Sequence, residues 1–144
     1  MKILCIEDQE EKYKQIREVI VDIFDDIAWE NNCQNGLMKL RNEHYDVVLL
    51  DMSMPICNDG EEETFDSYAG MYVLKEIKRR KYLTKVLVIT GFSDFEQGKK
   101  VITLSELDAE ILDKYKSIYL GYVKYDSTTI EWQEKLVELI SKVG

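Results

Sequence analysis

A run of four apolar residues that ends in a carboxylate constrains this chain more than any other stretch. Val47–Leu50 contains two β-branched residues and is followed directly by Asp51. Such a run is typical of a short strand buried on both faces, as in the centre of a parallel sheet, and Pro55 favours an end to the strand soon afterwards. Ligands of open parallel sheets bind at the carboxyl ends of the strands. We therefore expect Asp51 to lie in a functional crevice.

Three other apolar runs end in polar side chains in the same way. Lys2–Ile6 is followed by Glu7 and Asp8, Val86–Ile89 by Thr90, and Ile118–Val123 by Lys124. One such strand could simply run out into solvent. Four of them, aligned in one sheet, would gather three acids, a hydroxyl and an ammonium at one edge.

Helical patterns alternate with these strands. Asp8 and Glu11 resemble a capping box that opens a first helix, Gly70 begins a helix that runs to about Lys81, and Thr128 with Glu131 resembles a capping box for the last helix. Ile27–Trp29 reads as a short edge strand. Strands that alternate with helices predict an α/β fold, a doubly wound parallel sheet with right-handed crossovers.

The four strand ends, taken together, resemble a known family. Ile6-Glu7-Asp8, Leu50-Asp51-Met52-Ser53-Met54-Pro55, Ile89-Thr90-Gly91 and Tyr122-Val123-Lys124 are similar, in this order, to the signatures of the receiver domain of bacterial two-component response regulators. The resemblance implies a five-stranded CheY-like, flavodoxin-like sheet of order 2-1-3-4-5. We expect residues 1–144 to form one receiver domain without a separate output domain.

The resemblance also implies a Mg²⁺ site. Asp8 and Asp51 would coordinate the ion directly, Glu7 would act through water, and the backbone carbonyl of Ser53 would complete the set. The chemistry agrees, because three clustered carboxylates repel each other and Mg²⁺ prefers oxygen ligands and retains several waters.

Asp51 would then be the phosphoacceptor, with Thr90 and Lys124 as its helpers. A carboxylate can form an acyl phosphate, and phosphoryl transfer depends on positioning and on positive charge. The implied donor is a phosphohistidine on a histidine kinase or phosphotransfer protein, and the implied output is protein contact in phosphorelay signalling rather than enzymatic turnover. A magnesium-dependent phosphatase of the haloacid dehalogenase type is disfavoured, because Ser53 stands where that family has a second Asp.

Two segments depart from the family pattern. Residues 56–68 contain five acidic residues and little apolar surface, which favours a mobile, solvated loop over a flap facing a partner or a cation. Residues 91–117 are longer than one helix and a turn require. Ser93 with Glu96 and Ser105 with Asp108 are spaced like helix starts, so we predict a short helix near Asp94–Lys100 and a longer one near Ser105–Lys116. We also predict a surface within 91–125 for a downstream protein or a second copy.

Two single positions also depart from it. Gly121 stands where the family usually has its switching aromatic, and neither Tyr119 nor Tyr122 is an obvious substitute. Tyr125 follows Lys124 where the family usually has a cis proline, so we expect a trans bond or a remodelled loop there.

The composition limits the partners. A net charge of −9 argues against binding to nucleic acid, and the absence of a long apolar run argues against a membrane. We read the three cysteines as reduced thiols and expect a cytoplasmic protein. The alternative function is a receiver-like interaction module that works without phosphorylation.

Overall fold

The computed structural model describes residues 1–24, 26–59, 62–66, 69–97 and 99–143, without the side chains of 55–59, 62–66 and 97. The elements follow in the order β1 (Lys2–Ile6), α1 (Glu10–Ile20), β2 (Asp26–Glu30), α2 (Cys33–Asn42), β3 (Val47–Leu50), β4 (Met54–Asp59), β5 (Glu62–Asp66), α3 (Gly70–Arg80), β6 (Lys85–Thr90), β7 (Asp94–Gln97), β8 (Lys100–Thr103), α4 (Leu104–Tyr115), β9 (Tyr119–Lys124) and α5 (Glu131–Ser141).

Five of the strands form one parallel sheet in the spatial order β2-β1-β3-β6-β9. Numbered among themselves along the chain, these strands have the predicted order 2-1-3-4-5, so the expected fold is confirmed. β3 lies in the centre, and all four of its residues are buried. This position explains its unbroken apolar run, because both of its faces are covered.

Helices cover both faces of the sheet. Leu4, Val48 and Leu50 face a core shared with α2, α3 and α4, whereas Cys5 and Leu49 face the core shared with α1 and α5. The two cores follow from the alternation of side chains along a strand.

Both atypical segments contain antiparallel hairpins. β4 pairs with β5, so the prediction of a loop is wrong for the described part of 56–68. β7 pairs with β8, so the predicted helix near Asp94–Lys100 is also wrong. Phe95 and Ile102 are buried while Val101 is 63% exposed, and this alternation is the period-two pattern of a strand.

The predicted helix starts are less accurate than the helices themselves. The longer helix of the 91–117 segment exists as α4, but its capping box is formed by Thr103 and Glu106. α1 begins after Gln9, which makes no side-chain cap. α5 begins after Ile130, because Thr128 donates its N–H and its hydroxyl to Asp126 instead of capping the helix.

Gly70 fixes the start of α3 beside Asp51. Its N–H donates to the carbonyl of Met52 at 3.0 Å. A Cβ at this position would lie 2.6 Å from Met52 Sδ and 2.9 Å from the carbonyl oxygen of Asp51. The missing side chain therefore lets the helix pack against the backbone that carries Asp51.

We predict that Gly70→Ala lowers the free energy of unfolding by about 1–3 kcal/mol, because the added methyl group overpacks this contact. Chemical denaturation measures the change. Gly91→Ala is the matched control, since its Cβ would meet neighbours only at 3.7 and 3.8 Å. Equal denaturation midpoints for the two variants would contradict the prediction.

Candidate functional site

The carboxyl ends of β1, β3, β6 and β9 meet at one edge of the sheet. Glu7 and Asp8 follow β1, Asp51 follows β3, and Thr90 is paired in register with Lys124 at the ends of β6 and β9. The parallel pairing of the four strands brings these residues together, as the sequence pattern predicts.

Three carboxyl groups form the acidic part of this edge. Glu7, Asp8 and Asp51 each offer a ligand oxygen, and these oxygens all lie within 4.8 Å of one another. Glu7 and Asp51 are buried, at 0% and 3% exposure, whereas Asp8 is half-buried. A set of hard oxygen donors at this spacing suits a divalent cation such as Mg²⁺.

A lysine that the sequence analysis missed lies inside this acidic group. Lys12 is 3% exposed. Its Nζ donates to Asp51 Oδ2 at 2.9 Å and to the carbonyl oxygen of Ile89 at 2.8 Å, and it lies 2.8 Å from Glu7 Oε2.

The spacing of α1 contains the signal for Lys12. The buried residues of this helix are Lys12, Ile16 and Ile20, four residues apart. A helical position in that stripe faces the sheet whatever its residue type. Lys12 is thus a charged residue on a core-facing stripe, close to the end of β1.

The protonation of the group follows from its imbalance of charge. One ammonium cannot neutralise three carboxylates. Burial and the charge of Asp51 raise the pKa of Glu7 to about 9, although Lys12 and Gln9 act in the opposite direction. Burial also raises the pKa of Asp8. Burial disfavours the charge on Lys12, but Asp51 and Glu7 outweigh it and raise its pKa. Without a divalent cation, the group therefore keeps a proton on Glu7 at neutral pH.

The loop after β3 holds the second oxygen of Asp51. Ser53 donates its backbone N–H to Asp51 Oδ1 at 3.3 Å, and its own side chain is buried. Asp51 in turn donates its N–H to the carbonyl of Ile6 at 3.2 Å. Each carboxylate oxygen of Asp51 thus has a partner in this structure.

Thr90 and Lys124 lie beside the acidic group with other partners. The hydroxyl of Thr90 is buried and accepts the N–H of Phe92 at 3.2 Å. Lys124 Nζ donates to the carbonyl of Gly91 and is exposed. The ammonium on Asp51 is therefore that of Lys12, not that of Lys124.

An open cleft of about 490 Å³ leads to Asp51. Lys12, Gly91, Lys124 and Tyr125 contribute to its walls. Its size and its mixed charge suit a small anionic group that approaches Asp51 from solvent.

Both departures on β9 have a local explanation. No cis peptide bond occurs in the described residues, so the bond before Tyr125 is trans, as expected. Gly121 has a φ of +130°, a conformation that favours glycine. It lies next to a bulge at which Leu120 has no partner on β6. Because of this bulge, Tyr119 and Tyr122 both pack against the core shared with α2, α3 and α4, and neither takes the side of Gly121, which faces Leu139.

The model of the response regulator receiver domain matches residues 3–112 of the chain. The chain belongs to the receiver-domain family. This receiver is 28% identical over 139 residues to the protein y4jR of Sinorhizobium fredii, covering 92% of each chain. It is also 28% identical over 153 residues to the Detocs response regulatory protein DtcB of Enterobacter cloacae, covering 99% of this chain and 100% of that protein.

Solved structures support the same fold. The response regulator TrrA of Thermotoga maritima, whose structure is a complex with Mg²⁺ and BeF, matches with a TM-score of 0.62 and 23% identity over 96% of this chain and 99% of that one. This receiver also has no helix, in the part of the chain that the structure describes, with the length and apolar character to cross a membrane.

We predict that Glu7 makes the receiver less stable as pH rises in the presence of a chelator. The native state keeps a proton up to about pH 9, whereas the unfolded chain loses it near the ordinary value of 4.5. The contribution is therefore complete below about pH 4.5 and is lost as pH rises through about 9, with a slope of up to about 1.4 kcal/mol per pH unit.

Chemical denaturation between pH 5 and pH 9 measures this slope. Glu7→Gln, which keeps a neutral group at the position, is expected to flatten it. Parallel curves for the wild type and the variant would show that Glu7 does not titrate in this range.

Proposed function

We propose that this receiver accepts a phosphoryl group on Asp51 from the phosphohistidine of a histidine kinase or phosphotransfer protein. An oxygen of Asp51 forms the new P–O bond while the P–N bond to the donor breaks and its electron pair returns to the imidazole. The observation that carries the proposal is the buried carboxylate of Asp51, fixed at the end of β3 with Glu7 and Asp8 within 4.8 Å.

The central strand explains why Asp51 suits this role. β3 is buried on both faces and is paired on both edges, with β1 and with β6. Asp51 therefore has a position set by packing, and a positioned nucleophile is what an in-line transfer requires. Asp51 lines the cleft, so a donor would approach this carboxylate from there.

The acidic group fits Mg²⁺ through its donor chemistry. Asp8 and Asp51 would bind the ion directly, Glu7 would bind through water, and the carbonyl of Ser53 would complete the protein's share. When bound, the ion supplies positive charge to the phosphoryl oxygens. TrrA, a relative in fold, is described with Mg²⁺ and BeF, which supports the same site here.

Thr90 and Lys124 are proposed to hold the phosphoryl oxygens. Both lie at the carboxyl edge, in register with each other on β6 and β9. The Thr90 hydroxyl would donate a hydrogen bond, and the Lys124 ammonium would leave the carbonyl of Gly91 for the new anion. Each such contact in a partly desolvated site is worth on the order of 2–4 kcal/mol.

The output is proposed to be a protein contact of the 91–125 region, with a downstream protein or a second copy. This region carries exposed apolar side chains, Phe92, Val101 and Leu112, and it follows Thr90 directly. The proposed location is the cytoplasm, which is supported by the buried, reduced thiols of Cys5 and Cys33.

A second candidate is an interaction module that works without phosphorylation. The contact between Lys12 and Asp51 favours it, because an ammonium already occupies an oxygen of the phosphoacceptor. The two candidates differ in one measurable property, the gain of a phosphoryl group.

We expect the wild type to gain the mass of one phosphoryl group when it is incubated with Mg²⁺ and a small phosphodonor. Asp51→Asn should gain none, because an amide is not a nucleophile here. Asp8→Asn should slow the reaction by roughly one to three orders of magnitude through loss of metal binding. Intact-protein mass spectrometry measures all three.

Asp46→Asn is the matched control, since this carboxylate lies at the opposite end of the same strand and accepts the N–H of Lys2. It should be phosphorylated like the wild type. No mass gain in the wild type, or an equal gain in Asp51→Asn, would favour the phosphorylation-independent module.

A further inference from the structure

We propose that Lys12 is a built-in competitor of the divalent cation: it holds Asp51 in the metal-free receiver and lowers the affinity of the site for Mg²⁺. The inference rests on the proposed function for the identity of the metal site, but it assigns a role to a residue outside the set of ligands and phosphoryl contacts. Lys12 is a positioning residue, because it acts on Asp51 and Glu7 rather than on a substrate.

The contacts of Lys12 show that its ammonium is committed to the acidic group. Lys12 Nζ donates to Asp51 Oδ2 at 2.9 Å and to the carbonyl of Ile89 at 2.8 Å, and Glu7 Oε2 lies 2.8 Å away. A cation that binds Asp51 Oδ2 must therefore take that oxygen from Lys12 or share it at the cost of charge repulsion, and a cation that binds Oδ1 meets the same positive charge across the carboxylate.

The electrostatic effect follows from the position of this charge. Lys12 contacts two of the three carboxyl groups that form the acidic group. A positive charge at this distance, shielded from water, repels an incoming cation and weakens its attraction to the acids. The same charge reduces the repulsion between the acids when no metal is bound.

Tyr125 restricts the movement of Lys12. Its ring centroid lies 5.5 Å from Lys12 Nζ, its hydroxyl donates to Gln15 Oε1 at 2.8 Å, and its ring packs edge-on against Trp132, with centroids 5.0 Å apart. Lys12 and Gln15 both lie on α1, so the contacts of Tyr125 connect α1 to the end of β9. Displacement of Lys12 must therefore disturb the residue that directly follows Lys124.

The test is the Mg²⁺ affinity of Lys12→Met, which keeps the length of the side chain and removes its charge. Titration of MgCl2 against intrinsic fluorescence gives the dissociation constant, because Trp29 donates to the carbonyl of Glu7 at 2.7 Å and Trp132 contacts Tyr125. We expect tighter binding by on the order of tenfold to a hundredfold. In chelator the variant should melt at a lower temperature than the wild type, and Mg²⁺ should raise its melting temperature by more.

Lys14→Met is the matched control. Lys14 is on the same helix but its side chain is 57% exposed and pairs only with Glu10 and Glu11 among its described ion pairs. Lys14→Met changes the net charge by the same amount as Lys12→Met. An equal gain in Mg²⁺ affinity in the two variants would therefore overturn the inference in favour of a general charge effect. Unchanged or weaker Mg²⁺ binding in Lys12→Met would also overturn it, because a residue that only supports the structure gives that result.

A measurement on the wild type covers the case in which Lys12→Met does not fold. Lys12 is the one buried lysine among the residues whose side chains the structure describes. Its ammonium should give a slowly exchanging NMR signal in chelator, and MgCl2 should shift it or abolish its protection. A signal that does not respond at saturating MgCl2 overturns the inference.

The outcome is separable from that of the proposed function. Mg²⁺ affinity and the lysine signal do not require phosphorylation. Tighter binding in Lys12→Met without any phosphoryl gain in the wild type would support the role of Lys12 and reject the phosphoacceptor. Phosphorylation of Asp51 in the wild type, together with equal Mg²⁺ affinities of the wild type and Lys12→Met, would support the phosphoacceptor and reject the role of Lys12.

Discussion

Repulsion between buried carboxylates is the constraint on which the functional edge of this receiver depends. The sheet places Glu7 and Asp51 in a space from which water is almost excluded and brings Asp8 to its rim. Isolated buried charges are too costly to persist without compensation. In this structure the ammonium of Lys12 compensates part of the charge, and burial raises the pKa of Glu7, which favours its neutral form.

The same constraint links the helix layer to the chemistry at the strand ends. α1 packs against the sheet through Ile16 and Ile20, and its next buried position toward the N-terminus is Lys12. The packing of Ile16 and Ile20 against the sheet therefore fixes the position of the Lys12 side chain beside the acidic group. Tyr125, which follows β9, packs against the ammonium of Lys12. Lys12 and Tyr125, the two residues that most distinguish this site from a simple acidic pocket, are therefore neighbours.

Much of this arrangement could be predicted from the sequence, because strong signals carry it. The apolar run before Asp51 and the three similar strand ends indicated the parallel sheet and the residues at its edge, whereas the order of its strands was implied by the resemblance to the receiver family. The hairpin of β7 and β8 was missed because Ser93 and Glu96 imitate a helix start, although Phe95 and Ile102 alternate with exposed neighbours. Lys12 was missed because a lysine on a helix normally faces water, and only the burial of the whole stripe shows that this one does not.

The bulge in β9 changes the spacing of side chains that share a face of this strand. Leu120 is an extra residue relative to β6, and it separates two tyrosines that share a face although they are three positions apart. Loss of that single residue would restore a regular pleat and leave the two tyrosines two positions apart, still on one face, so the same face is reached at a spacing of three here and of two in a strand without the bulge. Alignment by sequence position alone therefore cannot match the aromatic residues of β9 with those of other receivers, and equivalence must be assigned by the face that each ring occupies.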